Sequence, residues 1–270
     1  MKILFDTHCH LYDERYSLPT EEGGLGGEDK LIQQIQDSDI KFVVDIGTDI
    51  YTMRKVDAQT RTYDFCYGTI GYYPGDVHLI TDEIWEEMFE IQRSNDKIVA
   101  IGEIGLDYHD PEEYPDKDTQ KYWFVRQLQK ARELNLPVCI HSRDADMDTF
   151  EILKSEALGK IPVLLHCYSG SSELAKEYVK LGAMLSLGGP VTFKNARHSV
   201  EVAKNIPIEN LLIETDAPYL TPVPYRGKIN KPQYVEFTAR KIAELREISY
   251  EELAKATLDN ACKFYRIKNI

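Results

Sequence analysis

Four of the seven histidines, His8, His10, His141 and His166, stand at or just after the ends of short apolar runs, and so do Glu103 and Asp216. His8 and His10 follow the run that begins at Ile3, and their i, i+2 spacing puts both imidazoles on one face of an extended chain. Glu103 ends a run in AIGEIGLDY, His141 in CIHSRD, His166 in LLHCYSG and Asp216 in LIETDAP. The other histidines, His78, His109 and His198, fall in loop or helix patterns. A single strand-end histidine is usually a hydrogen-bonded core or rim residue. Six ligand-capable side chains on one rim are different, because burying them unpaired is costly and a metal satisfies them together. Imidazoles with carboxylates suit Zn²⁺, Mn²⁺, Fe²⁺ or Ni²⁺ better than an all-oxygen Ca²⁺ site, with Mg²⁺ possible as an added activator.

Positioning these groups requires strands, and the chain supplies eight candidates: Ile3–His8, Lys41–Gly47, Phe65–Gly71, Ile98–Glu103, Pro137–His141, Pro162–His166, Ala183–Leu187 and Leu211–Thr215. Each is a short apolar run of the kind buried on both faces. Helical patterns separate them at Asp29–Ser38, Ile50–Thr62, Asp82–Ser94, Lys117–Leu134, Asp146–Ser155, Ser172–Leu181 and Ala196–Asn205. Alternation with this count predicts a (β/α)8 TIM barrel, an α/β fold whose catalytic groups come from the C-terminal strand ends. An open doubly wound sheet would need a Gly-rich phosphate turn after its first strand, and DTHCHLYDE offers none. Two further amphipathic helices, about Pro232–Glu247 and Tyr250–Tyr265, are expected to pack on the barrel, so residues 1–270 read as one domain. The Gly-rich segment 19–28 reads as a loop, since no GK[ST] follows it.

Composition is that of a globular protein, 43% hydrophobic and 29% charged. No run reaches the length of a membrane helix, and Asp6 and His8 interrupt the start before a signal-peptide apolar region, so a cytoplasmic location is expected. The five cysteines are widely spaced without a CxxC and read as buried reduced thiols. A net charge of −13 argues against broad adhesion to nucleic acid or anionic membrane, but metal ions would reverse the local field in a carboxylate-rich cleft.

The pieces DTHCHL, IGEIGLDY, LPVCIHSRDA, LLHCYSG, ETDAP and NACKFY, in this order over nearly the whole chain, resemble the TatD-related deoxyribonuclease family of TIM-barrel metal-dependent hydrolases. The resemblance implies two divalent ions: His8, His10 and Asp216 would hold one, His141 and His166 the other, and Glu103 would bridge them. Related amidohydrolases bridge with a carbamylated lysine from the fourth strand, and a glutamate there favours phosphodiester chemistry. Glu103 and Asp216 are then the catalytic residues, with Asp216 acting either as ligand only or also as acceptor of the water's proton. A metal-dependent 3′–5′ exonuclease or phosphodiesterase acting on nucleic acid ends is the leading expectation. A deacylase such as one removing D-amino acids from transfer RNA is the alternative, and a non-catalytic binding protein retaining the fold is a third. No membrane and no obligate protein partner are expected.

Substrate contacts are expected from Arg143, two residues past His141, and from Arg226, Lys228 and Asn230 in VPYRGKINKP, a stretch the resemblance marks as substrate-side. Arg143 could instead pair with Asp144 or Glu103, and Asp107 reads as an orienter of a ligand rather than a ligand. The family's G-x-H-P-H pattern after the third strand is here Gly71, Tyr72, Tyr73, Pro74 and Gly75. Tyr73 is the fifth expected substrate contact, able to donate a hydrogen bond or stack on a base, with simple packing as the alternative.

Overall fold

The computed structural model describes residues 2–20 and 24–268. Eight parallel strands follow one another in sheet order from β1 to β8 with helices between them, the (β/α)8 topology expected from the alternation. The elements are β1 (Leu4–Cys9), α1 (Glu28–Gln36), β2 (Ile40–Ile46), α2 (Ile50–Thr62), β3 (Cys66–Ile70), α3 (Asp82–Ser94), β4 (Ile98–Asp107), α4 (Lys117–Leu134), β5 (Val138–Arg143), α5 (Asp146–Glu156), β6 (Val163–Leu165), α6 (Ser172–Lys180), β7 (Met184–Leu187), α7 (Arg197–Asn205), β8 (Leu211–Ile213), α8 (Val235–Arg246) and α9 (Tyr250–Phe264). Of the Gly-rich segment 19–28, residues 21–23 lie outside the described residues. All five cysteines are thiols, four of them buried. No described helix is long and apolar enough to cross a membrane.

The chain divides into two compact units. The first comprises Met1–Asp45, Cys167–Lys176 and Leu185–Ile270. In it β1 pairs with β2, with Leu4 against Ile40 and Phe5 against Phe42, while β7 pairs with β8 through Leu185 and Leu211. The segment after β8 runs beside β1: Asp216 N–H donates to His8 O at 2.9 Å and His10 N–H to Ala217 O at 2.8 Å. Helix α9 starts at Ser249, whose hydroxyl accepts from Glu252 N–H, and buries Leu253, Ala254, Leu258, Ala261 and Phe264 at helical spacing. Each such leucine contributes roughly 1.5–3 kcal/mol of burial. At its end Tyr265 donates its hydroxyl proton to Thr7 O (3.2 Å), fixing the residue before His8.

The second unit comprises Ile46–His166 and Glu177–Met184. All ten residues of β4 are buried, and the strand pairs with β3 on one side and β5 on the other. Gly105 lies opposite His141 with φ of +146°, and a Cβ there would sit 2.0 Å from His141 O. Only glycine lets β4 approach β5 this closely. Capping is local: the Asp49 carboxylate accepts from Thr52 N–H in a capping box that opens α2, and Asp116 accepts from Asp118 and Thr119 N–H at the start of α4.

Several expected boundaries shift at the functional rim. Glu103 does not end the fourth strand, because β4 stays paired to β5 as far as Asp107 opposite Arg143. His141 lies two residues before the end of β5. His166 and Asp216 stand just beyond their strands, where Cys167 and Asp216 itself turn the chain with φ of +42° and +55°.

Candidate metal centre

In the first unit His8, His10 and Asp216 bring ligand atoms within 4.8 Å of one another. His8 Nε2 and His10 Nε2 lie 3.6 Å and 3.5 Å from Asp216 Oδ1. These separations are long for hydrogen bonds. They match the roughly 3.4 Å between two ligands that each stand about 2.1 Å from one ion at a tetrahedral angle. The residues therefore fit a first-row divalent cation. His10 is oriented from behind, its Nδ1 lying 3.0 Å from the Tyr12 hydroxyl. Orientation of a ligating ring by a partner on its other nitrogen is what a metal-binding histidine needs.

Asp216 owes its position to a buried carboxylate on β1. Asp6 Oδ1 accepts from Thr215 N–H at 2.8 Å, and Oδ2 accepts from the Thr215 hydroxyl at 2.6 Å. Burial pushes the Asp6 carboxyl well above the usual carboxylate range, with the Thr215 bonds pulling against it. Asn230 adds a second clamp. It is fully buried, and its amide donates to Thr215 O at 2.9 Å and to Tyr219 O at 2.6 Å. Its side-chain oxygen accepts from Lys231 N–H. The expectation of Asn230 as a substrate contact is thus corrected: every polar atom of its amide is committed to holding the chain around Asp216.

In the second unit Glu103, His141 and His166 form another trio. Glu103 Oε1 lies 2.8 Å from His141 Nδ1 and 2.9 Å from His166 Nε2, and the two nitrogens are 3.3 Å apart. This triangle of donor atoms also fits one first-row ion, since ligands at right angles around it stand about 3.0 Å apart. Burial opposes charge on His141, but the Asp107 and Glu103 carboxylates outweigh it and raise its pKa. The surroundings of that ring thus select for positive charge, which a divalent cation supplies. His141 Nε2 lies 3.0 Å from Asp107 Oδ2, so Asp107 is placed as an orienter of the ligand rather than a ligand. Burial would raise the Asp107 carboxyl, yet hydrogen bonds from His141, Tyr73 and His109 N–H bring it down to about 2.

None of the remaining expected substrate contacts belongs to these trios. Arg143 is exposed at the end of β5 and belongs to none of the ion pairs among the described residues, because Asp144 pairs with His109 at 2.8 Å instead. Arg226 is exposed with its guanidinium 4.2 Å over the Phe193 ring, and Lys228 is exposed 5.9 Å from the Tyr225 ring. Tyr73 is half-buried, its hydroxyl bound to Asp107 and its ring edge-on to His141 at 5.0 Å. Sequence reasoning missed Asp6, Tyr12 and Glu214. The last is fully buried, with a carboxylate oxygen within 4.8 Å of a His8 ring nitrogen. Its signal was present as a second acid in ETDAP.

Proteins similar to this chain are named as metal-dependent hydrolases. The chain is 43% identical over 265 residues to the uncharacterized metal-dependent hydrolase YabD of Bacillus subtilis, covering 98% of this chain and all of that one. It is 34% identical to the uncharacterized metal-dependent hydrolase YcfH of Escherichia coli K12, covering 98% and 96% of the two chains. The crystal structure of the TatD homologue YjjV of Escherichia coli K12 superposes with a TM-score of 0.86 at 28% identity over 99% of both chains. The family model described as TatD related DNase matches residues 5–266, and the chain therefore belongs to that family of metal-dependent hydrolases.

Proposed function

We propose that the protein is a phosphodiesterase that removes nucleotides from the 3′ ends of DNA, with divalent cations that His8, His10 and Asp216 in one trio, and Glu103, His141 and His166 in the other, would hold. The observation that carries the phosphate end of this reading is the loop after Asp216. On a chain of net charge −13, Arg226, Lys228 and Lys231 gather within six residues. Burial and the neighbouring Lys228 charge lower the pKa of Lys231, so an anion placed there relieves a built-in repulsion. Aromatic rings interleave these cations: Tyr225 stacks on Tyr234 at 4.6 Å, and Arg226 covers Phe193. Cations alternating with stacking rings are the usual recipe for a single strand. Beyond β7 a cavity of about 310 Å³ opens between Tyr168, Leu187, Pro190 and Val191, with Arg197 and His198 on its wall. It has room for a base.

A divalent cation in these trios supplies Lewis-acid chemistry, making water a nucleophile near neutral pH and drawing charge from phosphoryl oxygens. The chain's own residues do the rest. Arg226 and Lys228 bind the phosphate backbone of the strand. Asp216 turns Oδ1 toward both histidines and is 15% exposed, so its Oδ2 can take the proton of the attacking water. Asp107 holds His141 with the Nε2–H facing away from the trio, which leaves the Nδ1 lone pair directed at it.

Chelator treatment should abolish activity, and Mn²⁺, Zn²⁺ or Mg²⁺ should restore it. Product analysis on end-labelled single strands is the deciding measurement. Release of mononucleotides from the 3′ end is expected, whereas an inert strand alongside release of an amino acid from an aminoacyl ester would replace this reading with a deacylase.

A further inference from the structure

We propose that Tyr73 is a positioning residue for His141, acting through Asp107, rather than a contact for substrate. The inference rests on the reading that Glu103, His141 and His166 hold a metal. Three consecutive strands meet at one oxygen atom: Tyr73 from the loop after β3, Asp107 from the end of β4 and His141 from β5. The Tyr73 hydroxyl donates to Asp107 Oδ2, and His141 Nε2 lies 3.0 Å from the same oxygen. The other carboxylate oxygen accepts His109 N–H at 2.9 Å. Asp107 itself is fully buried, with its backbone N–H and C=O both held at 2.9 Å by the Gln120 amide. An ionised carboxylate only accepts, so both partners on Oδ2 must donate. Donation from Nε2 selects the His141 tautomer whose Nδ1 is free for a metal. Tyr73 stops the carboxylate from rotating out of that arrangement.

The surroundings of Tyr73 leave it little else to do. Its hydroxyl proton is committed to Asp107, and its backbone N–H to Thr48 O at 3.0 Å. Its ring is walled edge-on by His141 at 5.0 Å and by Tyr114 at 5.9 Å. Gly75 makes room for this packing, since a Cβ there would come 2.9 Å from the Tyr114 ring and 3.0 Å from that of Tyr73. The tyrosine and the glycine that stand in place of the two loop histidines are thus parts of one packed unit with Tyr114.

The test is a double-mutant cycle read by metal affinity. Zn²⁺ alone is titrated calorimetrically into the chelator-stripped full chain for the wild type, Tyr73→Phe, Asp107→Asn and the double variant. Asp107→Asn is expected to weaken binding at the Glu103 trio by about 10–100-fold. Tyr73→Phe is expected to weaken it about fivefold in the wild type and not at all in the Asp107→Asn background, because coupled residues are non-additive. Tyr73→His, which can still donate to Asp107, should bind Zn²⁺ more tightly than Tyr73→Phe. Melting of the metal-free chains, unchanged by Tyr73→Phe, separates positioning from folding. A Tyr73→Phe chain with wild-type Zn²⁺ affinity and a raised KM would overturn the proposal, as would the same fold-loss in both backgrounds. A wild-type chain whose Zn²⁺ uptake is unaltered by Glu103→Ala would instead refute the metal assignment beneath it.

Discussion

Glu103→Gln should cost at least about a thousandfold in hydrolysis and remove bound metal, while leaving the chain folded. The glutamine has the same size and shape, so the buried β4 keeps its packing. What changes is the single oxygen that lies 2.8 Å from His141 Nδ1 and 2.9 Å from His166 Nε2. As a neutral amide it either presents a weaker carbonyl donor or turns its NH₂ toward the nitrogens, and neither balances a divalent charge. Metal content per chain, read by mass spectrometry beside activity, distinguishes two degrees of loss. If Glu103 serves only the trio it shares with His141 and His166, one equivalent disappears; if it bridges two ions, both weaken. Full activity with undiminished metal would remove Glu103 from the site altogether.

Asn230→Ala is expected to destabilise the chain by about 3 kcal/mol, a fall in Tm of roughly 6–12 °C at this size. Truncation leaves Thr215 O and Tyr219 O buried without their donors and opens a void under the loop. Because Thr215 is also the residue gripped by Asp6, the change reaches Asp216 and should weaken metal held with His8 and His10. Thermal melting with and without Zn²⁺ measures both effects. An Asn230→Ala protein that melts like the wild type and differs only in KM would return this residue to the substrate.

Much of the architecture was legible because parallel strands buried on both faces leave uninterrupted apolar runs. Helices α2, α3 and α4 run where their periodicity and caps place them. The misreadings share a cause: they depend on contacts far along the chain. β4 looks finished at Glu103 because GLD contains a glycine and an acid, and only its pairing with β5 carries it to Asp107. Asn230 sits in a run of cations and turn formers that reads as surface, while its partner Thr215 O lies 15 residues earlier. Asp6 is one residue among the polar letters of DTHCH, and its hydrogen bonds to Thr215 span 209 residues. The candidate ligands and the orienting Asp107 were readable from strand position; Asp6, Tyr12 and the clamp made by Asn230 were not.

The buried amide of Asn230 has a consequence for how such a protein diversifies. It fastens the end of the loop to Thr215 and Tyr219, and the Thr221 hydroxyl bonded to Lys228 O closes the neck above it. The stretch between exposes Arg226 and Lys228, while Tyr225 stacks on Tyr234 and Arg226 lies over Phe193. On the proposed reading, substitutions at Arg226 and Lys228 should alter substrate affinity while Asp216 stays in place. A designer gains the same freedom: a foreign tip can be spliced between Thr221 and Lys228 on an unaltered base.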